Sequence, residues 1–192
     1  EANILTQNDG VEGIDISNGF AYISIANKNV VKACKINSKT GSLSECKTND
    51  GFNYPSGLTI SNGFAYVANK TNMNVRVCRV DNTTGAFSEC KIAASAFVNP
   101  DSVAISNGFA YVTNRSKDTV SVCKVDNKSG IFSDCKDSGN GFKEPCGVAV
   151  ANSFAYVANR KSKTVSMCRV NKETGFLSEC KIAASGFAGP DY

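Results

Sequence analysis

The chain has 192 residues, of which 42% are hydrophobic and 20% are charged, and its formal net charge is +4. These values exclude a disordered chain, and no apolar run reaches the roughly 20 residues that a membrane helix needs. Histidine is absent, which excludes an imidazole base or a histidine-ligated metal, and tryptophan is absent as well. The diffuse positive charge does not predict nucleic acid as a partner. Composition therefore favours a binding or structural role over catalysis.

In chain order, the sequence shows four repeats of about 45 residues. A single domain over 1–192 is predicted, with repeats at about 11–50, 55–97, 100–142 and 145–187 and with 1–10 as an extra outer strand or the remnant of a preceding repeat. The second repeat illustrates the predicted strands, which cover residues 58–60, 64–68, 75–80 and 87–91. An Asn-Gly turn joins the first two strands. Repeated units of this kind predict an all-β fold, a β-propeller of four four-stranded blades.

The second strand of each repeat carries the pattern Phe-Ala-Tyr, at 20–22, 64–66, 109–111 and 154–156. Its two faces are both apolar, one with large side chains and the other with small ones. Stacked blades need such strands, whereas a two-layer sandwich, the alternative, would leave one face more polar. The pattern therefore favours propeller-type stacking.

Nine cysteines are present, and eight of them fall into regular pairs. The two members of each pair are 12 positions apart: Cys34 and Cys46, Cys78 and Cys90, Cys123 and Cys135, Cys168 and Cys180. Placing Cys78 opposite Cys90 also sets Arg79 opposite Glu89, and every repeat has an opposite-charge pair at this place. We therefore predict a disulfide between the two outer strands of each blade. This framework predicts an oxidising, extracellular or cell-surface location.

Short motifs in the repeats point to a known group of proteins. The segment YVTN at 111–114 is followed by TVSV at 119–122, YVAN stands at 66–69 and 156–159, and the first repeat departs with YISI at 22–25. These motifs resemble the YVTN-type repeat of bacterial secreted and surface β-propeller proteins. The resemblance implies the propeller fold across all four repeats. It leaves function open, because such propellers include lactonase-like enzymes and non-enzymatic surface proteins, and it carries no catalytic residue over to this chain.

The repeats leave three arrangements of the chain open. The chain closes alone as four blades, it joins other chains through its terminal blades as a homo-oligomer or polymer, or it is a piece of a longer protein. The repeats at both ends continue the pattern without the polar outer face that caps an open stack. We therefore expect either closure by the chain alone or association through the terminal blades.

One rim of the predicted propeller varies between repeats and is the better candidate for a binding face. It carries these candidate ligand-binding residues: Glu12, Lys70, Asp101, Arg115, Lys117, Arg160 and Lys161. Tyr54, Phe97 and Phe142 lie near them in sequence and could supply aromatic contacts. The same rim places Cys146 at the position equivalent to Glu12 and Asp101. Basic loops are also ordinary solvated turns, so this rim alone does not establish a site.

The resulting functional prediction is a non-enzymatic secreted or surface module that binds a glycan or an anionic surface polymer. Two alternatives stay open: a structural subunit that assembles head-to-tail into a larger ring or fibre, and a lactonase-like hydrolase. The prediction includes no catalytic residue, no metal, no cofactor, no nucleic acid and no membrane span. Glu12, Asp15 and Asp101 could gather near the axis as calcium ligands or as an acid/base pair, but no pattern between repeats supports this.

Overall fold

A computed structural model describes residues 9–188, which form four antiparallel sheets of four strands each. Sheet 1 contains β1 (Val11–Ser17), β2 (Phe20–Ile25), β3 (Val30–Ile36) and β4 (Leu43–Asn49). Sheet 2 contains β5 (Pro55–Ser61), β6 (Phe64–Asn69), β7 (Asn74–Val80) and β8 (Phe87–Ser95). Sheet 3 contains β9 (Pro100–Ser106), β10 (Phe109–Asn114), β11 (Thr119–Val125) and β12 (Phe132–Ser138). Sheet 4 contains β13 (Pro145–Ala151), β14 (Phe154–Asn159), β15 (Thr164–Val170) and β16 (Leu177–Ser185).

Two 3₁₀ turns, Ala26–Lys28 and Arg115–Lys117, complete the described secondary structure. No helix within residues 9–188 has the length and apolar character needed to cross a membrane. The all-β prediction is confirmed, and the first strand of each sheet is longer than predicted. The extra strand predicted within 1–10 falls almost wholly outside the described residues.

Tight turns hold each sheet in its up-and-down order. The first two strands of sheet 2 are joined at Asn62 and Gly63, whose φ angles of 50° and 75° are those of a type I′ turn. In sheet 4 the same turn uses Asn152 and Ser153, with φ angles of 51° and 68°. The asparagine tolerates the left-handed conformation in both sheets, and in sheet 4 Ser153 adopts the positive φ that glycine has in the other turns.

A β-bulge modifies the predicted register of the two outer strands. In sheet 2, Val77 pairs with Lys91 as predicted, but Arg79 pairs with Ser88 rather than with Glu89. Glu89 is the extra residue and has a positive φ of 49°, and its counterparts in the other sheets have φ angles of 48° to 53°. Its carboxylate still reaches Arg79, with 2.9 Å between Oε2 and Nε. The charge pair therefore predicted correctly which two strands are neighbours, but it did not predict the exact register between them.

All four predicted disulfides are present, each between the third and fourth strands of one sheet. They are Cys34–Cys46, Cys78–Cys90, Cys123–Cys135 and Cys168–Cys180. The ninth cysteine, Cys146, is buried and lies outside these bridges. Disulfides of this kind indicate an oxidising environment, either extracellular or periplasmic.

Successive sheets stack face to face. We call the face with the Phe and Tyr of the second strand the front face, and the opposite face, with the Ala and Val or Ile of that strand, the back face. Between sheets 2 and 3, Phe64 and Tyr66 of the front face pack against Val103 and Val112 of the back face. The clusters between sheets 1 and 2 and between sheets 3 and 4 repeat this arrangement. Stacking of this kind, with both faces of β6 and β10 buried, is that of a propeller and not of a sandwich.

The first strands of neighbouring sheets lie side by side: β1 against β5, β5 against β9, and β9 against β13. Among the described residues, no contact of similar extent joins β1 to β13. Within residues 9–188 the stacked series therefore has a first and a last sheet, and closure by the chain alone stays a prediction.

Candidate functional site

A central cavity of about 380 Å³ opens where the first strands of the four sheets begin. Each sheet contributes two residues to its wall: Val11 and Glu12, Tyr54 and Lys70, Asp101 and Arg115, Cys146 and Arg160. One of the two belongs to the first strand or the loop before it, and in sheets 2 to 4 the other follows the second strand directly. Part of the predicted variable rim therefore lines one cavity.

A buried asparagine at the end of the second strand fixes this geometry in three sheets. Its Oδ1 accepts the N–H of a residue in the loop that arrives from the preceding sheet. The three pairs, each with the N–H donor first and the asparagine acceptor second, are Asn53 with Asn69, Val98 with Asn114, and Lys143 with Asn159. Its Nδ2 donates to a side chain of the third strand, as from Asn69 to Asn74. The next residue, which is Lys70, Arg115 or Arg160, therefore leaves the sheet at the cavity.

Lys70 links the first three sheets through two carboxylates. Its Nζ lies 2.7 Å from Oδ1 of Asp101 and 3.1 Å from Oε2 of Glu12. The other oxygen of Asp101, Oδ2, lies 3.3 Å from a terminal nitrogen of Arg115. Arg115 also approaches Glu144, with 4.0 Å between Nε and Oε2. The result is a chain of alternating charges along the cavity wall.

Burial and charge oppose each other in this chain. Burial alone would lower the pKa of Lys70, but its contacts with Asp101 and Glu12 outweigh burial and raise that pKa. Burial raises the pKa of Asp101, against the opposing effect of Lys70 and Arg115. Lys70 is therefore held in its charged form at the cavity wall.

The predicted site residues divide into two groups. Glu12, Lys70, Asp101, Arg115 and Arg160 all line the central cavity. Lys117 and Lys161 do not. Lys117 forms an exposed ion pair with Asp137, 2.7 Å away, and Lys161 lines a separate surface depression that it shares with Arg115 and Glu144.

Three further sequence-based expectations need correction. Phe97 and Phe142 are buried between sheets and cannot contact a ligand in the cavity. Of the three aromatic residues, only Tyr54 lines the cavity, where the ammonium of Lys70 lies 5.5 Å from its ring centre. Asp15 does not join Glu12 and Asp101, because its carboxylate accepts the N–H of Ile60 between sheets 1 and 2.

Sequence reasoning missed Glu144. This residue is equivalent in the repeat to Tyr54 and Asn99, so nothing in the sequence marked its position as acidic or functional. Within residues 9–188, no group of three or more Cys, Asp or Glu side chains has the arrangement of a metal site. The cavity thus combines carboxylates, which can accept protons, with an ammonium and guanidinium groups that can stabilise an anion.

A family model for lactonases with a seven-bladed β-propeller matches residues 61–186. The chain belongs to this lactonase family. No curated protein matches the sequence. Family membership confirms the predicted propeller group, whereas the narrower YVTN-type assignment stays a prediction.

Solved structures of similar fold come from several bacteria. The periplasmic gluconolactonase of Pseudomonas aeruginosa has a TM-score of 0.75 and 17% identity, over 94% of this chain and 55% of that one. A protein from Lactobacillus plantarum has a TM-score of 0.76 and 18% identity, over 93% and 56%. A proposed 6-phosphogluconolactonase of Bacteroides fragilis has a TM-score of 0.71 and 19% identity, over 88% and 52%. The chain thus spans about half the length of these three structures, and the likeness shows the fold.

Membership of the lactonase family corrects the functional prediction. The prediction of a non-enzymatic module for glycans or anionic surface polymers was wrong, and so was the prediction that the protein is not an enzyme. The alternative of a lactonase-like hydrolase is the one that this finding supports. The argument from composition failed because it equated the lack of histidine with the lack of catalysis, although carboxylates also act as general bases.

Proposed function

We propose that the protein hydrolyses lactones of sugar acids in the central cavity. The observation that carries this proposal is the alternating charge chain of Glu12, Lys70, Asp101 and Arg115 in the cavity of a lactonase-family propeller. Structural neighbours whose names include gluconolactonase and 6-phosphogluconolactonase support the choice of substrate class.

Glu12 is the proposed general base. Its Oε2 is engaged by Lys70, and its side chain is 30% exposed. Both oxygens of Asp101, in contrast, are held by Lys70 and Arg115. Glu12 is thus the more exposed of the two carboxylates and the one that water can reach, and Asp101 positions the two cations.

In the proposed reaction, the oxygen of a water molecule attacks the lactone carbonyl carbon while Glu12 accepts one of its protons. The negative charge that develops on the carbonyl oxygen is stabilised by Lys70 and Arg115. Breakage of the ring C–O bond then releases the alkoxide, which receives the proton from Glu12. The product is the open hydroxy acid, which loses a proton to solvent at neutral pH.

A proton-release assay tests this proposal with gluconolactone and its 6-phosphate as substrates. We expect ring opening faster than the spontaneous rate at the same pH. Glu12→Gln should lower kcat/KM by about two orders of magnitude or more, because it removes the base but keeps the size of the side chain. Glu173→Gln, in an exposed turn of sheet 4, is the matched control and should keep the wild-type rate.

Two results would refute the assignment. One is folded wild-type protein that leaves both lactones at their spontaneous rates. The other is full activity in Glu12→Gln, which would remove Glu12 from the reaction. Within the oxidising compartment that the disulfides indicate, display at the cell surface stays a prediction.

A further inference from the structure

Arg115, which the proposed reaction uses to stabilise the carbonyl oxygen, is the first residue of the 3₁₀ turn Arg115–Lys117. Its guanidinium lies between two carboxylates, with Asp101 3.3 Å from a terminal nitrogen and Glu144 4.0 Å from Nε. Both carboxylates belong to other segments of the chain, so they hold the end of the side chain and not the backbone from which it starts. The direction of Arg115 therefore depends on what fixes the turn.

A chain of hydrogen bonds fixes the residue before the turn. Asn114 is buried, and its Nδ2 donates to Oγ of Ser121 in the third strand over 2.8 Å. The hydroxyl of Ser121, which is buried as well, donates to Oδ1 of Asp137 in the fourth strand, again over 2.8 Å. The inner end of this chain holds the strand end from which Arg115 leaves, and the outer end is a carboxylate.

The same carboxylate fixes the last residue of the turn. The second oxygen of Asp137, Oδ2, lies 2.7 Å from Nζ of Lys117. Burial alone would raise the pKa of Asp137, but hydrogen bonds from Lys117 and Ser121 outweigh burial and lower that pKa. Asp137 is therefore ionised at neutral pH, and it connects both ends of the turn whose first residue is Arg115.

Comparison of the repeats shows that a sheet of this kind forms without the pair. At the position of Asp137 the other sheets have residues without charge, which are Thr48, Ile92 and Ile182. Each of these pairs with the third strand in the same register as Asp137 does. At the position of Lys117, sheets 2 and 4 have Asn72 and Ser162. The carboxylate and the ammonium thus occur together beside Arg115 in sheet 3, where they serve the turn and not the sheet.

We propose that Asp137 is a positioning residue that acts on the lactonase reaction through Arg115. The proposal rests on the proposed function, in which Arg115 stabilises charge on the carbonyl oxygen. With Asp137 ionised, Asn114 and Lys117 are both held, and the turn between them directs Arg115 to the cavity. Loss of that charge releases Lys117, and the guanidinium then takes up the productive position less often. Because the oxygen becomes charged only in the transition state, kcat should fall while KM changes little.

Kinetics of matched variants test this role. Asp137→Asn keeps an oxygen that accepts the hydroxyl of Ser121 but removes the charge that holds Lys117. Its kcat for gluconolactone should fall about tenfold or more, since a small misplacement of a reacting group has effects of this size. Asp134→Asn is the control and should keep the wild-type kcat, because Asp134 lies on the same strand and pairs with Lys124 over 2.9 Å at the exposed surface. Asp137→Glu keeps the charge and should retain more of kcat than Asp137→Asn.

A double-mutant cycle shows whether Asp137 acts through Arg115. Arg115→Ala removes the guanidinium, and Lys70 remains to stabilise the carbonyl oxygen in that variant. Adding Asp137→Asn to it should lower kcat/KM no further. A residue that merely stabilises the fold would lower kcat/KM by the same factor in both backgrounds.

Hydrogen exchange follows the turn independently of activity. The N–H of Arg115 donates to the carbonyl of Asn99 over 3.2 Å. Exchange of the amides of residues 115–118 should be faster in Asp137→Asn than in the wild-type protein, and it should be unchanged in Asp134→Asn.

Failure of this inference and failure of the proposed function give different results. Wild-type protein that leaves lactones at their spontaneous rates would refute the proposed function. Unchanged exchange at 115–118 in Asp137→Asn would overturn the role of Asp137 whatever the activity. In an active protein, a wild-type kcat in Asp137→Asn, or a full additional loss in the Arg115→Ala background, would overturn this inference alone.

Discussion

Lys70 and Asp101 form a short ion pair, with 2.7 Å between Nζ and Oδ1, that joins sheet 2 to sheet 3 at the wall of the central cavity. Both side chains are largely buried, and each has a second partner of opposite charge, Glu12 for Lys70 and Arg115 for Asp101. The pair therefore belongs to the packing between sheets as well as to the proposed active site.

Removing the cation of this pair should destabilise the protein. We expect Lys70→Met to lower the free energy of unfolding by about 3 kcal/mol, the low end for a broken buried pair, because Arg115 still neutralises Asp101. Lys124→Met is the matched control, since Lys124 pairs with Asp134 at the exposed surface and the loss of that pair should have little effect on stability. Urea denaturation measures both. Equal losses of unfolding free energy in the two variants would show that the buried pair stabilises the fold no more than the exposed pair does.

Alkaline pH should weaken the fold before the lysines titrate fully. Burial raises the pKa of Tyr66 and Tyr111 to about 12 from an ordinary value of 10. Between these values the unfolded chain loses the phenolic proton while the folded chain keeps it, so the free energy of unfolding falls as pH rises. The slope should be about 1.4 kcal/mol per pH unit for each such tyrosine.

Urea denaturation at several pH values above 9.5, with tyrosinate absorbance recorded in parallel, measures this slope. Tyr66→Phe removes one of the titrating groups and should make the decline less steep. An unchanged slope in that variant would contradict the assignment to Tyr66.

The disulfide of sheet 2 should contribute substantially to stability. Replacing both Cys78 and Cys90 by Ser should lower the free energy of unfolding by about 2 to 3 kcal/mol, the range that the chain-entropy model gives for a short loop. Cys146→Ala removes a buried thiol outside the bridges and should cost less. Thermal denaturation of the two variants compares them, and a larger loss for Cys146→Ala would contradict the prediction.

The hydroxyl of Tyr22 should be dispensable. It is buried and has no hydrogen-bond partner among residues 9–188, so Tyr22→Phe removes an unsatisfied polar group and should leave stability unchanged or raise it by up to about 1 kcal/mol. The ring packs in parallel on Phe87, with 5.6 Å between ring centres, so Tyr22→Ala should cost about 4 kcal/mol. Destabilisation of Tyr22→Phe by more than 1 kcal/mol would show that the hydroxyl has a stabilising role.

The parts of the fold that rest on local chemistry could be predicted from the sequence. Asparagine and glycine at the turns, cysteines 12 positions apart and the Phe-Ala-Tyr strands each specify a local geometry, and the repeats multiply the signal. The bulge at Glu89 could not be predicted, because the long side chain of Arg79 reaches the same carboxylate with or without it.

The cavity was predictable only in part. Alignment of the repeats placed Glu12 and Asp101 at equivalent positions, and both residues line the central cavity. The partners of each charge depend instead on the loops between sheets, and no repeat pattern reports them. Lys117 and Arg115 lie two residues apart, yet one points to Asp137 and the other to Asp101.

Each disulfide joins residues within one sheet, so every repeat carries both halves of its own cross-link. Duplication of a repeat in the gene would therefore add two cysteines that pair with each other, and deletion would remove both together. In the first three repeats neither event leaves an unmatched thiol, and in no repeat does it change the partner of an existing bridge cysteine. The number of repeats could thus change during evolution without any rearrangement of the bridges already present.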